Sequence, residues 1–102
     1  MKYDLRFQPE VEADVKSGRA WYEGKTQGLG DEFLRVFYSS CKELIHNPLM
    51  YPKVHRDFRR CLLRRFPYAI YFTIEKGIVV VFGLFHCARD PRRLREALRN
   101  RR

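Results

Sequence analysis

No stretch of the sequence is apolar for the roughly 18 residues that a membrane-crossing helix needs. The N-terminus, Met1-Lys2-Tyr3-Asp4-Leu5, has neither the apolar core nor the small-residue cleavage site of a signal peptide. The expected location is therefore the cytoplasm, with no membrane partner. Cysteine is scarce: Cys41, Cys61 and Cys87 are three in number and stand 20 and 26 positions apart. An odd count at such spacing suggests neither a disulfide framework nor a CxxC metal knuckle, so all three are read as reduced thiols packed in the core. A metal would need about three or four converging ligands. The best cluster, His86-Cys87 with Asp90, has its first two members on opposite faces of a strand. There is no glycine-rich phosphate loop and no Ser or Cys in a nucleophile elbow. No metal, cofactor or side-chain nucleophile is expected. At 102 residues there is room for one small core, so the domain is expected to run from 1 to 102, which excludes most cofactor enzymes.

Against these absences stand 45% apolar and 15% aromatic residues, with eight Phe and six Tyr, enough to bury a core and unlike a disordered chain. Lys and Arg number 21 against 12 Asp and Glu, a net charge of +9 that favours anionic partners. The charge is uneven. Residues 1–52 hold seven basic and eight acidic side chains, a balance of −1, while residues 53–102 hold fourteen and four, a balance of +10.

Lys2 to Phe7 alternates Tyr3, Leu5 and Phe7 with Lys2, Asp4 and Arg6, the period of a strand with one buried face. Pro9 with Glu10, Glu12 and Asp14 forms a helix first turn, because proline suits that position and acids complement the helix dipole. Val11, Val15, Gly18 and Tyr22 make its stripe. After a glycine-containing break at 24–30, Leu29, Phe33, Val36, Phe37, Cys41, Leu44 and Ile45 repeat at helical spacing up to Asn47-Pro48, which predicts a helical hairpin. Pro48 to Asp57 reads as a loop. Three strands are expected next: Phe58 to Arg65, Tyr68 to Glu75, and, after a tight Lys76-Gly77 turn, Ile78 to His86. The last lacks polar alternation, which suits a central strand covered on both faces. Asp90-Pro91 then offers a cap and first-turn proline for an arginine-rich helix with a narrow stripe of Leu94, Ala97 and Leu98. The order β-α-α-β-β-β-α defines an α+β domain, with the hairpin on one face of a three-stranded antiparallel meander.

Chemistry is carried by arginine. Arg56, Arg59, Arg60, Arg64 and Arg65 surround one predicted strand, and His86 and Arg89 stand at the end of another. Such a set can fork onto phosphates, and a histidine can move a proton near neutral pH. RNA would make that sufficient, since its own 2′-hydroxyl serves as nucleophile and the protein need supply only acid, base and cationic stabilisation. The plainer reading is a solvated or partner-facing arginine coat. Tyr51, Tyr68 and Tyr71 likewise read either as base-stacking platforms or as strand packing.

Several segments carry a resemblance: Leu29-Gly30 with Phe33, Asn47-Pro48 with Tyr51-Pro52, Arg59-Arg60, Arg65-Phe66-Pro67-Tyr68-Ala69-Ile70-Tyr71, and His86 with Arg89-Asp90-Pro91. In this order, over nearly the whole chain, they resemble the RelE/ParE superfamily of bacterial toxins. The resemblance implies the toxin of a type II toxin-antitoxin, or plasmid stabilisation, module, held inactive by a cognate antitoxin. The antitoxin contact candidates are Trp21, Tyr22, Phe33, Phe37 and Tyr71, and operator DNA is reached only through the antitoxin. One branch of the superfamily cuts messenger RNA on the ribosome and the other poisons DNA gyrase. Ribonuclease members carry an arginine inside the third-strand motif and a Tyr after the fourth-strand basic group. Here the first position is Ala69, and no Tyr follows Tyr71. Each loss would cost roughly two orders of magnitude in rate. The resemblance therefore implies a ParE-like, non-enzymatic gyrase inhibitor. For it, the target or phosphate contacts are Arg59, Arg60, Arg64 and Arg65, with Arg89, Arg92, Arg93 and Arg95 in the C-terminal region. The alternative is a RelE-like ribosome-dependent endoribonuclease, in which His86 is acid or base among Arg60, Arg64, Arg65 and Arg89.

Overall fold

A computed structural model describes residues 2–102. Strand β1 (Asp4–Phe7) leads to helices α1 (Val11–Lys25) and α2 (Leu29–Leu44), and a single 3₁₀ turn at Pro48–Met50 follows. Strands β2 (Lys53–His55), β3 (Phe58–Leu62), β4 (Tyr68–Glu75) and β5 (Ile78–His86) come next, and helix α3 (Pro91–Asn100) closes the chain. The sheet runs β1-β5-β4-β3-β2. β1 lies parallel to β5, and the remaining neighbours are antiparallel.

The apolar run of β5 is explained by its two covers. Val79, Val81 and Leu84 face the helical hairpin, in one cluster with Phe33, Phe37 and Leu44. Val80, Phe82 and Phe85 face the other way, in a second cluster closed by Leu98 of α3. Each fully buried Phe, Leu or Val in these layers contributes about 1.5–3 kcal/mol. β4 divides likewise, with Ile70 and Phe72 toward the hairpin and Ala69 and Tyr71 toward α3. The hairpin packs closely because Gly18 on α1 has no side chain: a Cβ there would lie 2.6 Å from the Phe33 ring.

The meander has four strands where three were expected, because β2 arises inside the predicted loop 48–57. It is a three-residue edge strand with a register shift between Lys53 and His55, too short and irregular to show a period. β3 also stops early, at Leu62, so Arg64 and Arg65 lie in the turn to β4, where Arg65 adopts a left-handed φ of 70°. Cys41 and Cys61 are buried as expected, but Cys87 is exposed beyond the end of β5. Burial pushes the Cys41 thiol up to about 12, well out of reach of ionisation at neutral pH.

Candidate functional site

β5 outruns its neighbour. The β1 register ends at Phe7 against Val81, so the backbone of β5 beyond that point has no strand on that side. Side chains take over. The Leu84 amide donates to Asp14 of α1 at 3.1 Å, and Arg101 Nη1 donates to the Phe82 carbonyl at 3.0 Å. Arg101 and Asp14 also pair with each other at 2.6 and 3.1 Å, with side chains only 15% and 12% exposed. The bond network closes the open edge and ties the end of α3 to α1. Gly83 makes room for it, since a Cβ there would strike the Phe85 ring and the Arg101 guanidinium.

At the same end of the sheet Tyr68 pairs with His86, their rings edge to face at 5.2 Å. The Ala88 amide donates to His86 Nδ1 at 3.0 Å, which leaves Nε2 to carry the proton of the neutral ring. Arg89 stacks its guanidinium on Phe85 at 4.6 Å, a cation–π contact that holds it over the sheet. Asp90 caps α3 by accepting from the Arg92 amide at 2.9 Å. Together Asp14, Ser17, Tyr68, His86, Arg89 and Arg93 line a cleft of about 490 Å³. Its acids are engaged, Asp14 with Arg101 and Asp90 at the helix cap, so the cleft is cationic. Burial raises the Tyr68 phenol above its ordinary value of 10.0, so at neutral pH it is a hydroxyl donor beside the imidazole.

The structure thus brings His86, Arg89 and Arg93 together with Tyr68 and leaves the other arginine candidates outside this cleft's lining. Arg65 pairs with Glu32 at 2.8 Å and Arg64 with Glu43 at 3.5 Å, both acids on α2. Arg59 donates to the Tyr51 carbonyl at 2.6 Å and to that of Leu49 at 3.3 Å, bracing the loop before β2. Arg60 and Arg92 are exposed, and Arg95 faces a different hollow. Among the antitoxin candidates, Trp21 is 59% exposed, with the Lys25 ammonium 4.3 Å from its ring centroid, and Tyr22 is half-buried. Phe33, Phe37 and Tyr71 are core residues, of which Phe37 reaches the floor of a groove between β1 and the two helices. Sequence reasoning missed Asp14 and Ser17 as cleft residues. Asp14 carries only the local signal of a helix first turn, and its partner stands 87 positions away.

Three solved structures share this architecture. The chromosomal ParDE toxin-antitoxin system from P. aeruginosa aligns with a TM-score of 0.69 at 14% identity, covering 83% of this chain and 96% of that one. The toxin-antitoxin complex RelBE2 from Mycobacterium tuberculosis gives 0.58 at 20%, covering 84% and 99%. A mutant of the E. coli toxin RelE in the free state gives 0.59 at 16%, covering 98% of both chains. At these identities the likeness is one of fold, the RelE/ParE-like fold. The family model for the ParE toxin of the type II toxin-antitoxin system, parDE, matches residues 5–91, and the chain belongs to that family. No curated protein matches the sequence at a significant level.

Proposed function

We propose that this toxin inhibits DNA gyrase without catalysing a reaction, and that a cognate antitoxin neutralises it. The observation that carries this reading is the residue at position 69, next to Tyr68 of the cleft. His86 has Arg89 and Arg93 beside it, but the β4 position where ribonuclease relatives bear an arginine holds Ala69, which is fully buried. The nearby-in-sequence arginines do not compensate, since Arg64 and Arg65 are paired to α2. Two arginines make the cleft cationic enough to hold an anion, but without a third it lacks the further charge stabilisation that phosphoryl transfer calls for. The parDE family match supports the same branch.

An apolar groove supports the antitoxin. It runs between β1, α1 and α2, has a volume of about 660 Å³, and is lined by Phe7, Val11, Val15, Leu34, Phe37 and Tyr38 among others. Phe7 and Tyr38 are 39% and 51% exposed, and β1 is an edge strand with free backbone groups.

The endoribonuclease reading retains one specific support, the Tyr68 ring edge to face with the His86 imidazole in a cleft that Arg89 and Arg93 also line. The test is supercoiling of relaxed plasmid by gyrase in the presence of purified, antitoxin-free toxin. Inhibition with linear DNA accumulating, reversed by antitoxin and unaltered by His86→Ala, is expected. No inhibition at micromolar toxin, together with messenger RNA cleavage on translating ribosomes that His86→Ala abolishes, would transfer the protein to the other branch.

A further inference from the structure

A second cationic hollow lies against α3, on the side turned away from the His86 cleft. Arg93 enters the one and Arg95 the other, as positions about 200° apart around a helix must. The second hollow measures about 700 Å³. The end of β2 supplies His55, the β2–β3 turn Arg56 and Asp57, and the helix Arg95 and Arg99, with Arg102 just beyond its end. Residues 95, 99 and 102 recur at spacings of four and three, so they share one face.

Among the described residues only one acid, Asp57, lines this hollow, and it is spent. Arg102 grips Asp57 through two bonds of 2.9 and 2.7 Å, which pins the turn to the helix end. Among the described residues Arg56, Arg95 and Arg99 form no salt bridge, so three guanidinium groups face the solvent in the hollow uncompensated. Arg56 moreover sits in the left-handed region at φ 51°, where a long side chain is unusual and glycine or asparagine the common choice. Phe58 forms the floor but is only 2% exposed, beneath the His55 ring and the Arg102 guanidinium. The face of α3 that lines this hollow also lies beyond the family match, which ends at residue 91.

We propose that this hollow binds the phosphodiester backbone of duplex DNA irrespective of base sequence. Guanidinium forks match paired phosphate oxygens in geometry and charge. Among the described residues the hollow's accessible ring is the half-buried imidazole of His55, and the hollow has none of the rows of exposed aromatic rings that single-strand binders supply. It also has no exposed apolar floor, which an acidic peptide would need in order to bury its own side chains. The phosphate contact thus belongs to Arg56, Arg95 and Arg99 of the toxin itself, beyond any DNA reached through an antitoxin, and it holds whichever enzyme the toxin poisons.

The experiment is fluorescence anisotropy of a labelled duplex of about 20 base pairs, titrated with the full chain across a range of salt. Single-stranded RNA of the same length and poly-glutamate are run in parallel. Arg95→Gln with Arg99→Gln removes two unpaired, exposed side chains, so the melting temperature stays at the wild-type value. Duplex affinity falls about tenfold or more near 0.1 M salt, and the slope of log K against log salt flattens by about 1.8. Lys2→Gln with Lys42→Gln removes the same charge elsewhere and leaves that slope in place. The proposal is overturned if Arg95→Gln/Arg99→Gln binds duplex as the wild type does, or if the lysine pair weakens binding equally. It is also overturned if RNA or poly-glutamate binds as tightly as duplex through the same two arginines, or if no duplex binding is seen.

Discussion

Thr73 sits fully buried in β4 with its hydroxyl donating to and accepting from nothing among the described residues. A buried hydroxyl without a partner costs about 1–3 kcal/mol relative to a group that does not need one. Valine has nearly the same shape and no polar atom. Thr73→Val is therefore expected to raise stability by about 1 kcal/mol, read as a higher denaturant midpoint at unchanged slope, with Thr73→Ser lowering it. A fall in midpoint for valine would show that the hydroxyl is satisfied in solution. Elsewhere in the core the single residues behave as their type predicts. The Cys41 and Cys61 thiols are both raised by burial, and both are packing groups.

At the scale of elements, α3 is held to the sheet from both ends. Asp90 caps its start, Leu98 fills the second core, and Arg101 reaches Asp14 across the open edge of β5. Removing one member of a buried ion pair leaves the other charge stranded, at a cost of about 3–5 kcal/mol. Arg101→Met is expected to lose stability on that scale and to speed hydrogen exchange at the Leu84 amide, which Asp14 accepts. Asp14→Asn combined with Arg101→Met should recover part of the loss, because no unpaired charge remains. Equal stability of wild type and Arg101→Met would mean that α3 docks through Leu98 alone. This clasp also marks the limit of what was legible in the chain. β5 announced itself because both its faces are covered and its residues are uniformly apolar, and α3 because Asp90-Pro91 is a cap followed by a first-turn proline. β2 left no such trace, being three mostly exposed residues with a shifted register. The partnership of Asp14 with Arg101, and the burial of Phe33, Phe37 and Tyr71 behind other layers, depend on tertiary placement that no local period encodes.

Across the whole molecule, a charge of +9 has to be held in a small volume, and the carboxylates do the holding. Asp57 is kept below its ordinary 3.8, chiefly by the hydrogen bond from Arg102. A carboxyl depressed in the folded state contributes stability that is complete above its unfolded value and is lost as pH falls through the folded one. The melting temperature should therefore change little from neutrality down to about pH 5 and drop below about pH 4, more steeply at low salt, where repulsion among the cations is least screened. Asp57→Asn should flatten the part of that drop due to this pair, and an unchanged acid limb would assign it to other carboxylates. The parallel pairing of β1 with β5 has its consequence in time. A chain emerging from the ribosome makes its helical hairpin first and the strands that cover it last, so Phe33 and Phe37, hidden in the finished fold, stay bare while residues 58–86 are produced. At about 5–20 residues per second that interval lasts on the order of seconds. For that period the newborn toxin offers apolar side chains that its mature surface withholds.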